Sequence, residues 1–310
     1  MDYVMRYCPG CNRELPVPED LKDCICMYCG EHFSIEEKLV PDYGNEELQA
    51  IEETYRKAFE RLGELIERYD KLLQGFTREG YQTNFKEYAK LGEDILIPIN
   101  RYILTSEYPL DTVVAQISER LMSLIEDKLL HNKGVLHKNS KAMLRDQYRF
   151  FLAVYLVPML GYLKLELSDM LADEIMGEWK RRYPKSEFQK ASYDELAAGF
   201  LRKGFCYITS AVCDTLNKPD DCYELTTFRE FRDQYLMANT AGRRLVEEYY
   251  ETAPRIVTYI NMHLDREERY RKLWHQYLEP CLRDLECGKI RSCESRYIRM
   301  VRQLKKKMSL

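Results

Sequence analysis

The chain has no strong charge imbalance: 47 Lys and Arg stand against 51 Asp and Glu, a formal charge of −4 over 310 residues. It therefore exerts no global pull on a polyanion, and a basic nucleic-acid-coating protein is excluded. Glycine and proline are scarce, at 14 and 11, so collagen-like and low-complexity chains are excluded too. No long apolar run exists. The longest uncharged stretch, Phe150 to Leu163 (FFLAVYLVPMLGYL), falls short of the roughly 20 residues that cross a bilayer. It reads as a buried core helix, kinked at Pro158. The first residues, MDYVMRYCPG, lack the basic stretch and apolar run of a secretory signal, and a cytoplasmic setting is expected. Phosphate-loop, dinucleotide-fingerprint and H-E-x-x-H motifs are also missing.

Cysteine is absent from residue 30 to residue 205, yet the chain has eleven. Five crowd the first 29 residues, and six follow residue 200. In a reducing compartment such thiols are free or bound to metal rather than paired in a disulfide framework.

The first cluster reads Cys8-Pro-Gly-Cys11 and Cys26-Met-Tyr-Cys29-Gly30. Each C-x2-C turn aims two sulfurs at one point, and two turns supply a tetrahedron suited to Zn²⁺. Gly30, and Asn12 after the first pair, suit a left-handed backbone. The spacing predicts a zinc ribbon holding one Zn²⁺ through Cys8, Cys11, Cys26 and Cys29. Four cysteines close the coordination shell, so this zinc is structural rather than catalytic. Cys24 and His32 lie beside the site as competing ligands. Through residue 33 the acids Asp2, Glu14, Glu19, Asp20, Asp23 and Glu31 outnumber Arg6, Arg13 and Lys22. An acidic ribbon repels phosphate, which argues against nucleic-acid binding through it. Two roles remain: a folded cap on the rest of the chain, or a docking module for another protein.

The middle of the chain has helical periodicity. Asn45 to Leu73 reads as one long helix, N-capped by Asn45, with Leu48, Ile51, Tyr55, Ala58, Leu62 and Leu65 on a heptad seam. Such a seam commonly serves intramolecular packing, and its length also permits a dimer. Glu52–Arg56, Glu53–Lys57, Glu64–Arg68 and Glu67–Lys71 have the favourable i,i+4 polarity. Further helices are predicted from Phe85 to Ile97, broken near Pro98, and from Asp111 to Leu130, with Gly134 beyond its end. Others start near Ser140 and near Ser168, the latter stopping before Pro184. Ser192 and Glu195 form a capping-box pattern. No strand pair is evident outside the ribbon.

The last hundred residues carry the most distinctive stretches. Gly204-Phe-Cys206-Tyr-Ile-Thr-Ser-Ala-Val-Cys213 is followed by Leu225-Thr-Thr-Phe-Arg229-Glu-Phe-Arg232-Asp233, then Gly242-Arg-Arg-Leu-Val-Glu-Glu-Tyr249-Tyr250 and Ala253-Pro254. From Gly204 to Val257 this resembles the bacterial CFI-box C-terminal domain family, named for its Cys-Phe-Ile core. The whole arrangement resembles members of that group with an N-terminal zinc ribbon. Tyr207 stands where the name-giving Phe would be, which keeps the ring and adds a hydroxyl. The resemblance implies a domain boundary and a bacterial cytosolic setting, and no particular reaction.

Read from the residues, Phe205 to Val212 is a buried strand or helix start. As a helix it places Cys206 and Cys213 on one face. Arg229, Arg232 and Asp233 follow at helical spacing, and an arginine beside Cys206 would favour thiolate. Cys206 with Arg229 or Arg232 is thus a candidate thiol centre, weighed against a plainly packed cysteine. A Cys–His pair would need His263 or His275 in reach. The late cysteines lack C-x2-C spacing, and Cys281 and Cys287 fall on different helix faces. Asp220-Asp221-Cys-Tyr-Glu224 reads as acids at a helix start rather than a Mg²⁺ motif. The abundant tyrosines, among them Tyr249, Tyr250 and Tyr259, edge the core. The acid-free stretch from Ser295 to Leu310 carries Arg296, Arg299, Arg302 and Lys305 to Lys307. It is either a helix C-terminus complementing its dipole or a contact for an anionic partner.

The expectation is therefore a mostly α protein: a zinc ribbon over residues 1–40, a helical bundle over 41–200 and a CFI-box-like helical domain over 201–310. The leading function is non-catalytic, a protein-interaction or scaffold module with another protein as partner and no membrane. The alternatives are a cysteine-dependent enzyme or thiol sensor centred on Cys206, and nucleic-acid binding through the basic tail.

Overall fold

The structure is a computed structural model that describes residues 3–11, 13–18, 21–34, 44–106, 108–131, 138–201 and 206–308. Asn12, Gly134 and Phe205, which entered the expectations above, lie outside the described residues. The fold is mostly α-helical, and the described strands are confined to the N-terminal module.

That module is two antiparallel hairpins. β1 (Tyr3–Tyr7) pairs with β2 (Glu14–Pro18), and β3 (Asp23–Ile25) pairs with β4 (His32–Ser34). Leu15 and Val17 alternate inward along β2 and pack with Cys8, Cys11 and Cys26 into a small core. So few apolar side chains provide little burial energy, and cross-linking by a metal would add to it.

Instead of one helix from Asn45 to Leu73, the chain forms three: α1 (Asn45–Glu60), α2 (Gly63–Glu67) and α3 (Tyr69–Gln74). The first break falls beside Gly63, where helix propensity is lowest, and the bend lets Leu62, Leu65 and Ile66 all be buried. Asn45 is the first helical residue rather than the N-cap. Gly44 holds the cap position, and its N–H donates to the Glu47 carboxylate at 3.3 Å. Glu52–Arg56 and Glu53–Lys57 form as exposed ion pairs.

α4 (Tyr81–Thr105) runs straight through Pro98, where a break was expected. A mid-helix proline costs about 3 kcal/mol, but Ile95, Leu96, Ile99 and Ile103 are buried on either side of it. Continuing the helix keeps all four in the core, and that burial outweighs the lost hydrogen bond. α5 (Leu110–His131) follows. α6 (Lys138–Phe151) passes into a π turn, Leu152–Leu156, and then α7 (Val157–Leu163). This is the long apolar run, buried almost throughout. The π turn ends two residues before Pro158, and its wider winding moves away the carbonyl that the pyrrolidine ring would strike. α8 (Ser168–Arg182) and α9 (Tyr193–Leu201) start near the expected residues. The Ser192–Glu195 box forms, with Ser192 N–H donating to Glu195 at 2.8 Å and Glu195 N–H donating to Ser192 Oγ at 3.2 Å.

The remaining elements are α10 (Tyr207–Thr215), α11 (Tyr223–Glu230), a π turn Phe231–Leu236, α12 (Thr240–Asn261), α13 (Arg266–Leu273), a π turn Trp274–Leu278, α14 (Glu279–Glu286) and α15 (Ile290–Lys307). The third π turn again ends two residues before a proline, Pro280.

Two units emerge from the packing. The first comprises Met1–Asp70, Phe85–Asn132 and Tyr155–Lys185; the second comprises Lys71–Asn84, Lys133–Val154 and Ser186–Leu310. In the first, α5 and α7 pack on α8, and Trp179 and Tyr88 are fully buried, the Tyr88 hydroxyl donating to Leu65 O at 3.2 Å. The module's contacts with the rest of this unit include Tyr7 donating to Glu166, in the turn between α7 and α8, at 2.8 Å and an Arg13–Glu93 ion pair at 3.0 Å. In the second, α10 to α15 enclose a core that includes Cys206, Cys213, Cys281 and Cys293. No described helix is long and apolar enough to cross a membrane.

Candidate metal centre and the Cys206 environment

The two hairpin turns are built alike. In the first, Cys8 N–H donates to Arg13 O at 2.9 Å; in the second, Cys26 N–H donates to Glu31 O at 2.8 Å. Each closure folds a C-x2-C segment into a tight knuckle. Gly30 takes φ 77°, and its N–H closes the second knuckle on Cys26 O at 2.8 Å. A Cβ there would strain the backbone.

The knuckles bring four sulfurs together. Cys8 and Cys29 Sγ are 3.5 Å apart, as are Cys11 and Cys26 Sγ, and all four lie within 4.8 Å of one another. Such a set can hold one metal ion. Backbone N–H groups converge on the same sulfurs: Tyr28 N–H donates to Cys26 Sγ at 3.4 Å. Burial pushes Cys26 up, but the N–H groups of Cys29 and Tyr28 and the Cys8 and Cys11 side chains outweigh it, lowering the thiol to about 7. Burial holds Cys8 and Cys11 above the ordinary thiol value. Cys24 and His32 sit on β3 and β4 and are not part of the group.

Cys206 is the N-cap residue of α10 and is buried. Arg232 reaches it, with Nη1 3.8 Å from Sγ and 3.0 Å from the Tyr250 hydroxyl. The rest of that guanidinium clamps Asp233, Nε at 2.6 Å and Nη2 at 2.8 Å. Arg229 lies on α11 and pairs with Asp220 at 2.8 Å, whereas Arg232 and Asp233 lie on the π turn. Burial pushes the Cys206 thiol up, and the opposing pull of Arg232 and Arg229 does not overcome it. The arginine is already matched by Asp233, so little of its field is left for the sulfur.

The other candidates separate. His263 contacts Arg149 and Tyr259, and His275 meets Glu279. Helix α11 begins at Tyr223, so Asp220 and Asp221 lie before it rather than in its first turn; Asp220 holds Arg229, and Glu224 pairs with Lys218. Cys281 is buried and Cys287 exposed. In the basic tail, Arg296 pairs with Asp284 at 3.1 Å and Lys305 with Glu248 at 2.8 Å.

Sequence reasoning missed a chain of buried hydroxyls around Cys206. Ile208 N–H donates to the Tyr249 hydroxyl at 2.9 Å, and Tyr297 and Thr209 share a hydrogen bond at 3.3 Å. Only the density of tyrosines pointed toward it.

No family model, curated protein or solved structure matches this chain.

Proposed function

We propose that the chain is a non-catalytic, zinc-braced module that docks another protein through its N-terminal hairpins. The carrying observation is the apolar surface those hairpins display. Tyr3, Met5 and Tyr7 alternate onto one exposed face of β1, and Ile25 and Met27 in the second hairpin are 65% and 73% exposed. Three aligned apolar side chains on one strand are a patch rather than scattered residues. Four cysteine sulfurs, joined by no other ligand among the described residues, favour Zn²⁺, which would hold the knuckles rigid without an open catalytic position. The excess of acids through residue 33 suits a partner whose apolar surface is bordered by basic residues. The reduced thiols, the cytoplasmic setting and the CFI-box resemblance from Gly204 to Val257 belong to the same reading.

The test has two parts. Elemental analysis is expected to find one zinc per chain, lost in Cys26→Ser. A photo-cross-linker at Met27 is expected to give a discrete protein adduct in cells, weakened by Met5→Asp, with none from a control position at Lys57. Equal, diffuse labelling from both positions would sink the docking assignment. A fast-reacting thiol that vanishes in Cys206→Ser would favour thiol chemistry instead. Salt-dependent RNA binding lost on deleting residues 302–310 would favour the basic tail.

A further inference from the structure

The second unit contains a cavity of about 90 Å³ between α12, α15 and the π turn Phe231–Leu236. Its walls are apolar, with Phe228, Phe231, Leu236, Val246 and Val301 among them, and Cys206 also lines it. Charged residues line it too: Glu248 from α12 and Glu294, Arg302 and Lys305 from α15, all half-buried or exposed. Lys305 and Glu248 are 2.8 Å apart, Arg302 acts electrostatically on Glu248, and Glu294 accepts from the Tyr235 hydroxyl at 3.2 Å. Arg232 also lines the cavity, but Asp233 balances it.

We propose that this cavity binds a free α-amino acid with a short apolar side chain, of the leucine or valine kind. The enclosed space equals about three waters at ~30 Å³ each, which an aliphatic tail of three or four carbons displaces. Each buried CH₂ contributes roughly a fourfold gain in affinity. With Glu248 and Lys305 paired, the charges left are one carboxylate, Glu294, and one cation, Arg302. A fatty acid would meet the acid there and an alkylamine the base. A zwitterionic head matches both signs, its ammonium toward Glu294 and its carboxylate toward Arg302. The Cys206 thiol, kept neutral at the apolar wall, adds no charge against the tail.

Calorimetric titration of the full chain tests this with L-leucine, 4-methylpentanoate (no ammonium), isoamylamine (no carboxylate) and the dipeptide Leu-Gly. Leucine is expected to bind one to one, and each analogue about tenfold more weakly or worse. Arg302→Glu reverses an exposed charge without touching the core and is expected to weaken leucine by at least about tenfold. Val246→Trp fills the cavity and is expected to abolish binding; its circular dichroism checks that it folds, and Arg302→Glu decides the matter if it does not. Absence of saturable leucine binding with Kd below about 10 mM overturns the proposal. So does 4-methylpentanoate, isoamylamine or Leu-Gly binding as tightly as leucine, or leucine binding unchanged in Arg302→Glu.

Discussion

Arg149 on α6 donates from Nη2 to Nε2 of His263 across 2.8 Å, joining residues 114 positions apart. His263 Nδ1 lies 2.7 Å from Tyr259 O, a carbonyl that can only accept. The ring is therefore the neutral Nδ1–H tautomer, with Nε2 left to accept from the arginine. Burial, then Arg149 and Arg269, lower its pKa to about 4, against the opposing pulls of Tyr259 and Asp146.

A pH dependence follows. Above about pH 6.5 the histidine is neutral folded or unfolded and contributes no slope. Below that the unfolded chain takes up a proton that the folded one refuses until about pH 4. Stability falls through that window, by roughly 2–3 kcal/mol in all. Urea unfolding at pH 7.5, 6, 5 and 4.5 is expected to show the loss in the wild type and a shallower one in His263→Gln. Parallel curves would mean that the imidazole is not the titrating group.

The same cluster holds a buried charge. Arg149 is only 5% exposed; Asp146 pairs with its guanidinium and accepts from the Tyr259 hydroxyl at 2.5 Å. Asp146→Ala strands the cation and is expected to cost about 3–5 kcal/mol. Tyr259→Phe removes a hydrogen bond to a charged group and is expected to cost about 1.5–3 kcal/mol. Equilibrium unfolding of both variants checks the order. An Asp146→Ala effect below that of Tyr259→Phe would show that the arginine finds water instead.

Metal removal should be local. The four-cysteine module has its own small core, separate from the core spanning Cys206 to Met308. Chelation is expected to open the two knuckles and free the thiols of Cys8, Cys11, Cys26 and Cys29, leaving far-ultraviolet helicity nearly unchanged. Simultaneous loss of the helical signal would mean that the module is required for the helices.

How much of this was legible depended on distance along the chain. The knuckles span four residues each, so their spacing carries their geometry. The Ser192–Glu195 cap and the starts of α5 and α8 are equally local. Pro98 misled because a propensity rule met a helix buried on both flanks, and Gly63 was overlooked because the heptad seam continued past it. Arg149 with His263, and Tyr249 with Ile208, could not be read at all. Those pairs are set by packing between distant helices, and no spacing encodes it. Cys206 shows the intermediate case. The helical spacing did bring Arg232 to it, but the sign of the effect depended on burial and on Asp233.

Two glycines should respond differently to alanine. Gly242 opens α12, its N–H donating to Asn239 Oδ1 at 2.8 Å. A Cβ there would lie 2.0 Å from Leu236 O, a backbone atom that cannot rotate away. Gly242→Ala must push α12 off the π turn and is expected to cost about 2–3 kcal/mol, the upper range for overpacking. Gly92 also lacks room, but its nearest neighbour is Met159 Sδ at 2.4 Å. A thioether side chain can repack, so Gly92→Ala is expected to cost less, and the helix propensity gained by alanine, about 1 kcal/mol, offsets part of it. Denaturant midpoints of the two variants decide this. The reverse order would show that α12 yields more readily than the packing around Met159.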